Sequence, residues 1–357
     1  MKQVTTAGKL PHSLSITFLH SFFHAERTFK TTMSQLSYAI IGTGAIGGYY
    51  GAKLQQSGCD VHFLLRSDYE LVKKQGLSVA SINGDIELPS VRAYNHSGDM
   101  PSVDVAIVAL KTTQTSQTRK LLPVINPGGA VLCLQNGLGV EKAIEQQLAG
   151  QVKESVEIIG GLCFIGALKS GPGQIEHTDY GHVLLGPYQA DEQRCEPTPL
   201  MDKIAEDFTE AGVEINLTDD LPMARWKKLV WNVPYNGLSV ILNATTEEMM
   251  SDSGVRSLIS TLMRETVAIA NTWAKKASPQ EDRALSLKIV EDMLSHTKTM
   301  AAYQTSMKVD FDRGHLLEIE AILGNPLKIA HQYGVPAPTM TMLYQQLTFI
   351  QQRIMSP

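Results

Sequence analysis

The stretch YAIIGTGAIGGYYGAKL, residues 38–54, constrains the fold more than any other part of the sequence. A short apolar run leads into a loop that fits the pattern G-x-G-x-x-G, and helical spacing follows it. Glycines at these positions allow a tight turn, close approach of the backbone to a pyrophosphate, and close packing of a helix on a strand. The six residues of this glycine loop are Gly42, Thr43, Gly44, Ala45, Ile46 and Gly47. The stretch predicts the first strand–loop–helix unit of a dinucleotide-binding domain; the alternative is a glycine-rich turn without a ligand.

The residue that ends the second predicted strand distinguishes between two nicotinamide cofactors. In NAD-binding domains an acidic side chain at this position, about 20 residues beyond the glycines, binds the ribose hydroxyls. This sequence reads LLRSD, and Arg66 stands where the acid would be. A guanidinium suits a 2′-phosphate, so we expect NADPH as the cofactor. Asp68 lies close by, and the alternative for Arg66 is a solvated surface arginine.

Strand and helix patterns alternate up to about residue 218. Apolar runs such as VDVAIVAL and GAVLCL are typical of buried strands in a parallel sheet. The segment LSVASINGDIELPSVRAY predicts an inserted hairpin that turns at Asn83-Gly84. After Asp219 the pattern is helical, with hardly a strand candidate. We therefore predict a Rossmann-type, doubly wound α/β domain over residues 34–218 and an all-α domain over residues 219–357, with the ligand site in the cleft between them.

Composition argues against several classes of function. Of the 357 residues, 43% are hydrophobic and 19% are charged, and the net charge of -5 gives no reason to expect nucleic acid or an anionic membrane as a partner. The four cysteines form no CxxC pair and the ten histidines form no HExxH-like set. We therefore expect no metal and a cytoplasmic location. No apolar run approaches the roughly 20 residues that span a bilayer.

Residues 1–33 show little helical or strand periodicity. They are rich in Ser and Thr, but they also contain Glu26 and several histidines, and their apolar pieces are too broken for a secretory signal. We expect a disordered extension upstream of a start at Met33. The alternative is a transit-like leader.

A row of polar side chains marks the first predicted helix after Asp219. Lys228, Asn232 and Asn236 are spaced four residues apart, so they project from one face of a helix. Their apolar neighbours indicate partial burial, which is costly for these side chains unless a polar partner or ligand is present. Pro234 removes one helical hydrogen bond and predicts a kink or local unwinding. The alternative is a solvated face.

A second pair of polar residues stands further along the chain. Ser306 and Glu318 are twelve residues apart, which is not one face of an unbroken helix. We expect Arg313-Gly314 to break the helix, so that the two side chains flank a turn and converge. Alternatively, Glu318 is a surface charge on an amphipathic helix.

With these motifs in view, the chain resembles the ketopantoate reductase (2-dehydropantoate 2-reductase) family. The matching segments run in the family's order from about residue 38 to residue 343. They are IIGTGAIGGYYGAKL, DVHFLLR, VALKT, LQNGLG, GPGQIEH, RWKKLVWNVPYNGLS, SMKVDFDRGHLLEIEAILG and YGVPAPTMTML. The resemblance implies NADPH-dependent reduction of 2-dehydropantoate to (R)-pantoate, in pantothenate and coenzyme A biosynthesis.

The resemblance also implies roles for single residues. Lys228 matches the catalytic lysine of the family, and Glu318 matches its acidic partner at the substrate. The positions that match substrate contacts are Asn136, Asn232, Asn236 and Ser306. The positions that match cofactor contacts are the glycine loop, Arg66, Lys111 and Asn136. A lysine ammonium aimed at the 2-oxo oxygen would stabilise the charge that develops there and supply the proton.

The sequence departs from the family's pattern beside the second asparagine of the polar row. Asn236-Gly237-Leu238-Ser239 replaces the common N-P-L-T, Pro234 lies two residues earlier, and Trp231 is bulkier than the residue often found there. These changes leave open a paralogue that reduces another 2-oxo acid. A third possibility is an NADP-binding sensor without turnover. A homodimer is compatible with the sequence, which does not determine the oligomeric state.

Overall fold

One mixed sheet organises the first part of the chain. The computed structural model describes residues 36–149, 156–300 and 302–355, so the extension expected over residues 1–33 lies outside the described residues. The strands of the sheet are β1 Ser37–Ile41, β2 Asp60–Leu64, β3 Leu77–Ser81, β4 Ile86–Leu88, β5 Arg92–Tyr94, β6 Val103–Val108, β7 Ile125–Cys133, β8 Glu157–Gly171, β9 Gln174–Pro187 and β10 Ile215–Leu217. We call residues 37–217 the sheet region.

Six parallel strands form the core of this sheet. They lie in the order β5-β2-β1-β6-β7-β8, each parallel to its neighbours. This is the 3-2-1-4-5-6 order of doubly wound domains, and its direction of winding reverses between β1 and β6. Ligands of such sheets bind at the carboxyl ends of the two strands that flank the reversal.

The remaining strands extend the sheet beyond β8. The long strand β9 is antiparallel to β8, β10 is parallel to β9, and β3 joins on as a further parallel neighbour of β9. The predicted hairpin is confirmed because β3 and β4 are antiparallel across the Asn83-Gly84 turn. The end of the same segment does not continue this hairpin, because β5 pairs with β2 on the opposite side of the sheet.

Helices cover both faces of the parallel core. The sheet-region helices are α1 Ala45–Gln56, α2 Tyr69–Gln75, α3 Thr118–Leu121, α4 Val140–Leu148 and α5 Pro199–Glu210. Alternation along β1 separates the two faces, since Ile40 packs in the same cluster as Phe208 of α5, whereas Ile41 packs in the same cluster as Ile144 of α4. The predicted doubly wound α/β fold is therefore confirmed.

From Leu221 onward the described residues form helices and the loops between them. The helices are α6 Leu221–Leu242, α7 Thr246–Ser251, α8 Ser253–Ala277, α9 Lys288–Thr299, α10 Ser306–Asp312, a π-helical turn Glu320–Gly324, α11 Asn325–Tyr333 and α12 Pro338–Met355. We call residues 221–355 the helical region, and it confirms the predicted all-α character of the second part. Within the described residues, no helix is both long enough and apolar enough to cross a membrane.

Helix α6 runs through the core of the helical region. Trp226, Val230 and Val233 are fully buried in the same hydrophobic cluster as Leu262 of α8. The helix continues unbroken through Pro234, so the predicted local unwinding is wrong. Proline removes a single hydrogen bond, and the buried neighbours on both sides keep the helix continuous here.

Candidate active site

The glycine loop has the backbone geometry that close approach of a phosphate requires. Gly42 has φ +99°, and a Cβ on Gly47 would lie 2.3 Å from the carbonyl oxygen of Gly42. A Cβ on Gly44, in contrast, would meet no atom within 4 Å. Gly42 and Gly47 are therefore needed for the turn and for packing, whereas Gly44 faces open space on the side from which a ligand can approach.

The start of α1 supports the same interpretation. Its N-cap is Gly44, which has no side chain to accept hydrogen bonds from the first turn, and that turn contains no acidic residue. The free N–H groups and the positive end of the helix dipole suit a pyrophosphate. Thr43 donates from Oγ1 to the Leu64 carbonyl at 3.0 Å, which fastens the glycine loop to the carboxyl end of β2. The loop residues thus fit a dinucleotide.

Arg66 and Asp68 differ sharply in their surroundings beside this loop. Arg66 is exposed two residues beyond the end of β2. Asp68 is buried, forms an ion pair with Lys169, and accepts hydrogen bonds from Ser67 Oγ and from the Gly173 backbone. Burial alone would raise the pKa of Asp68, but these donors outweigh it and lower the pKa. The acid near Arg66 is therefore committed to the protein itself.

Lys228 lies on α6 where the helix faces the sheet region. Its Nζ donates to Asn136 Oδ1 at 2.7 Å and to the Cys163 carbonyl at 2.6 Å, and it lies 5.2 Å from the centre of the Phe164 ring. An ammonium has three donors. Among the described residues only these two oxygens accept from it, so one N–H remains for a ligand.

The environment of Lys228 favours loss of its proton at moderately alkaline pH. Part of the residue is exposed to solvent, but its ammonium group is removed from water. Desolvation lowers the pKa of Lys228 to about 8, and the positive charge of Arg225 acts in the same direction. The negative charge of Glu318 and the Cys163 thiol oppose the shift. Lys228 is thus mainly protonated at neutral pH and can still release a proton.

A cross-region ion cluster joins the loop after β6 to the helical region. Lys111 Nζ lies 2.7 Å from Asp310 Oδ2 and 3.6 Å from Glu318 Oε2. Glu318 Oε1 also accepts from Thr112 N at 2.8 Å and from Thr112 Oγ1 at 2.9 Å. Burial would lower the pKa of Lys111, but the two carboxylates outweigh it and raise the pKa. Both carboxylates are buried, so the cluster fixes Lys111 and Glu318 at one point of the cleft.

The two asparagines of the polar row are buried and keep donors for a ligand. Asn236 Oδ1 accepts from the Met307 backbone at 3.2 Å and from Ser306 Oγ at 3.4 Å. Across the described parts of the chain, neither the Asn236 amide NH₂ nor any atom of the Asn232 side chain has a hydrogen-bond partner. These amide atoms are not among the fully buried polar atoms that lack a partner, so they remain accessible and can bond to a polar ligand.

The structure brings six of the predicted residues together, in three contacting groups. Lys228 contacts Asn136, Asn236 contacts Ser306, and Lys111 contacts Glu318. The predicted break at Arg313-Gly314 is present, because α10 ends at Asp312. Ser306 and Glu318 do not bond to each other. Arg66 stands apart from these groups, beside the glycine loop.

Sequence reasoning missed two members of the site. Asp310 lies four residues after Ser306 and therefore on the same face of α10, a spacing that could have indicated it. Thr112 follows Lys111 in a loop and carries no such signal. In the part of the chain that the structure covers, no three His, Cys, Asp or Glu side chains are grouped so that they could hold a metal ion.

Comparison with known proteins gives matches over most of the chain. The family described as "Ketopantoate reductase PanE/ApbA" matches residues 38–190, and "Ketopantoate reductase PanE/ApbA C terminal" matches residues 220–351. A curated protein from Nostoc sp. named 2-dehydropantoate 2-reductase is 49% identical over 322 residues, which are 90% of this chain and 97% of the relative.

Solved structures of 2-dehydropantoate 2-reductases have the same fold as this chain. The crystal structure of 2-dehydropantoate 2-reductase from Geobacter metallireducens has a TM-score of 0.80 and 38% identity, covering 89% of this chain and 99% of its own. The crystal structure of 2-dehydropantoate 2-reductase from Methylococcus capsulatus has a TM-score of 0.77 and 29% identity, covering 90% of this chain and 99% of its own.

Proposed function

Because the chain belongs to the ketopantoate reductase PanE/ApbA family, we propose that it catalyses the NADPH-dependent reduction of 2-dehydropantoate to (R)-pantoate in pantothenate and coenzyme A biosynthesis. The observation that carries this proposal is Lys228, an ammonium group with one free donor that is fixed between Asn136 and the Cys163 carbonyl. A proton donor held in this way can serve the oxygen of a 2-oxo acid.

The chemistry divides between the cofactor and the protein. The nicotinamide supplies a hydride to the 2-oxo carbon when it is bound. Lys228 stabilises the negative charge that develops on the carbonyl oxygen and transfers a proton to it. Glu318 raises the pKa of Lys228 by its charge and so favours the protonated form that the reaction needs.

The neutral side chains of the cleft position the substrate. Asn232 and the NH₂ group of Asn236 donate to the carboxylate and hydroxyl oxygens of the 2-oxo acid, and Ser306 adds a hydroxyl beside Asn236. Such contacts hold the carbonyl against Lys228 without adding further charge. Asn136 orients Lys228 from the sheet region, and we assign to it contacts with both cofactor and substrate. Lys111, which we assign to the cofactor, forms an ion pair with Glu318.

The preference for NADPH rests on Arg66. Its exposed guanidinium beside the glycine loop suits a 2′-phosphate. Asp68, the acid that could otherwise bind ribose hydroxyls, is held by Lys169 and Gly173. Arg66→Ala should therefore weaken NADPH binding, whereas Arg353→Ala, on the exposed face of α12, is the matched control and should leave it unchanged.

The decisive assay follows NADPH oxidation by the purified protein with 2-dehydropantoate and with a panel of other 2-oxo acids. We expect the highest kcat/KM for 2-dehydropantoate. Turnover of another acid with none of 2-dehydropantoate would instead identify the paralogue with changed specificity. Binding of NADPH without turnover of any acid would identify the sensor.

The proposal also covers the roles of the two domains, the location of the protein and its oligomeric state. Residues 34–218 form its cofactor-binding domain and residues 219–357 its substrate domain. The four cysteines are free thiols, which suits a cytoplasmic location. We also propose a homodimer, for which α12 offers two exposed apolar side chains on one face, Met342 at 50% and Phe349 at 61% exposure. Sedimentation at the monomer mass would contradict the homodimer.

A further inference from the structure

Arg225 is a buried cation on the helix that carries Lys228. It lies three residues before Lys228 on α6, and only 3% of the residue is exposed. Its Nε donates to Glu141 Oε1 at 2.9 Å, and its Nη2 contacts the same oxygen. Glu141 is also buried, in the first turn of α4. Removing one partner of such a pair would leave an uncompensated buried charge.

The guanidinium also holds the loop that carries Asn136. Its Nη1 donates to the Gln135 carbonyl at 2.7 Å, and its Nη2 lies 3.5 Å from the Cys133 carbonyl. Gln135 directly precedes Asn136, whose Oδ1 accepts from Lys228. The two ends of the Lys228–Asn136 hydrogen bond are thus connected by a second route, from α6 through Arg225 to the backbone beside Asn136.

The loop that carries Asn136 also forms hydrogen bonds to the helical region on the far side of Asn136. Leu138 N donates to the Ala321 carbonyl at 2.8 Å, and Asn325 Nδ2 donates to the Leu138 carbonyl at 2.7 Å. Both of these partners belong to the helical region. Asn136 is therefore held between two attachments to the helical region, and Arg225 is the attachment on the side of Lys228.

We propose that Arg225, paired with Glu141, is a positioning residue for reduction: it fixes the Asn136 loop against Lys228, and it places a second buried cation about one helical turn from that lysine. The proposal rests on the proposed function and adds to it a residue that does not touch the substrate. The fork of the guanidinium is essential to it, because one side chain must bind two carbonyls and a carboxylate in a fixed geometry.

To test the effect of the Arg225 charge on Lys228, the other charged groups near Lys228 must be taken into account. Asn136 and Phe164 face the ammonium as uncharged groups. The titratable or charged groups that act on it or feel its charge are the Cys163 thiol, Arg225, Glu318 and His182. Of these, Arg225 is the cation that lowers the pKa of Lys228, so its removal should raise that pKa.

Two substitutions of Arg225 separate the contribution of its forked geometry from the contribution of its charge. Arg225→Lys keeps the charge but loses the fork, so kcat should fall at least tenfold while the alkaline limb of the pH profile of kcat/KM stays in place. Arg225→Met loses both, so kcat should fall similarly and the limb should move to higher pH. Glu141→Gln keeps an acceptor for Arg225 and should affect kcat less than either. NADPH affinity should stay within about twofold of wild type in all three, because Arg225 does not contact the glycine loop.

Amide hydrogen exchange of the loop at residues 135–139 gives a readout that needs no turnover. The loop should exchange faster in Arg225→Lys and Arg225→Met than in wild type, while α8 is unchanged. If Arg225→Met does not fold, Arg225→Met/Glu141→Leu replaces the ion pair with apolar groups and should show the same loss of kcat and faster exchange. Wild-type kcat and wild-type exchange in these variants would overturn the proposal. A wild-type protein that reduces no 2-oxo acid would contradict the proposed function instead, and the exchange experiment would still test whether Arg225 fixes the loop.

Discussion

Alkaline inactivation offers a quantitative test of how Lys228 works. If the protonated ammonium is the acid of the reaction, kcat/KM follows the protonated fraction of Lys228 in the enzyme before substrate binds. With a pKa of about 8, this fraction falls about tenfold between pH 7 and pH 9. A lysine with its ordinary pKa of about 10.4 would lose almost nothing over the same range. The difference comes from desolvation, which is the largest cause of the shift.

The titration of Lys228 should also make the free energy of unfolding depend on pH. The folded-state pKa of Lys228 lies below its unfolded value, so the cost of burying the charge is fully present below about pH 8. It is relieved as the pH rises from about 8 towards the unfolded value. Between pH 7 and pH 9 the wild type should gain about 1 kcal/mol of unfolding free energy relative to Lys228→Met, which has no group to titrate there.

Two measurements check these expectations. The first is kcat/KM for 2-dehydropantoate at half-unit pH steps from about 6 to 10, with the stability of NADPH controlled at each pH. The second is urea unfolding of wild type and Lys228→Met at about pH 7 and pH 9. A flat kcat/KM across this range, together with a stability difference that does not change with pH, would refute the lowered pKa and the role built on it.

Three further predictions concern the cofactor and the frame of the fold. Arg66→Ala should raise the Kd of NADPH by tenfold or more and that of NADH by less than twofold, and equal losses in titrations of both would contradict the 2′-phosphate assignment. Gly44→Ala should leave the Tm unchanged but weaken NADPH binding, whereas Gly47→Ala should lower both Tm and affinity, because its Cβ would lie 2.3 Å from a backbone oxygen. Arg283→Met leaves its buried partner Asp220, at the start of α6, without its closest cation. In urea unfolding, the free energy of unfolding should fall by about 3 kcal/mol. An unchanged urea midpoint would rule this prediction out.

Much of the fold is predictable from the sequence because the responsible signals are local. The apolar strand, the glycine loop and the helix after it lie within 20 residues, and each constrains its neighbours through short-range sterics. The row Lys228, Asn232 and Asn236 is likewise a matter of helical spacing. Pro234 is the exception, since its local preference for a break is overridden by burial on both sides.

The parts that could not be predicted depend on contacts between distant residues. Nothing near Asp68 in the sequence shows that Lys169 will hold it, and that contact removes the competing acid from the cofactor site. Similarly, Arg225 and Glu141 are 84 residues apart, and only the folded chain brings them together beside Asn136. Spacing could have indicated Asp310, but not the fact that it would bind Lys111 across the cleft.

The most direct test of the central claim is the loss of the Lys228 ammonium alone. We expect Lys228→Ala to lower kcat for 2-dehydropantoate by about 10²–10³-fold, which corresponds to about 3–4 kcal/mol of transition-state stabilisation. The Kd of NADPH should stay within twofold, and the neighbouring Lys227→Ala should retain wild-type kcat. A Lys228→Ala enzyme that reduces 2-dehydropantoate at the wild-type rate would contradict the account.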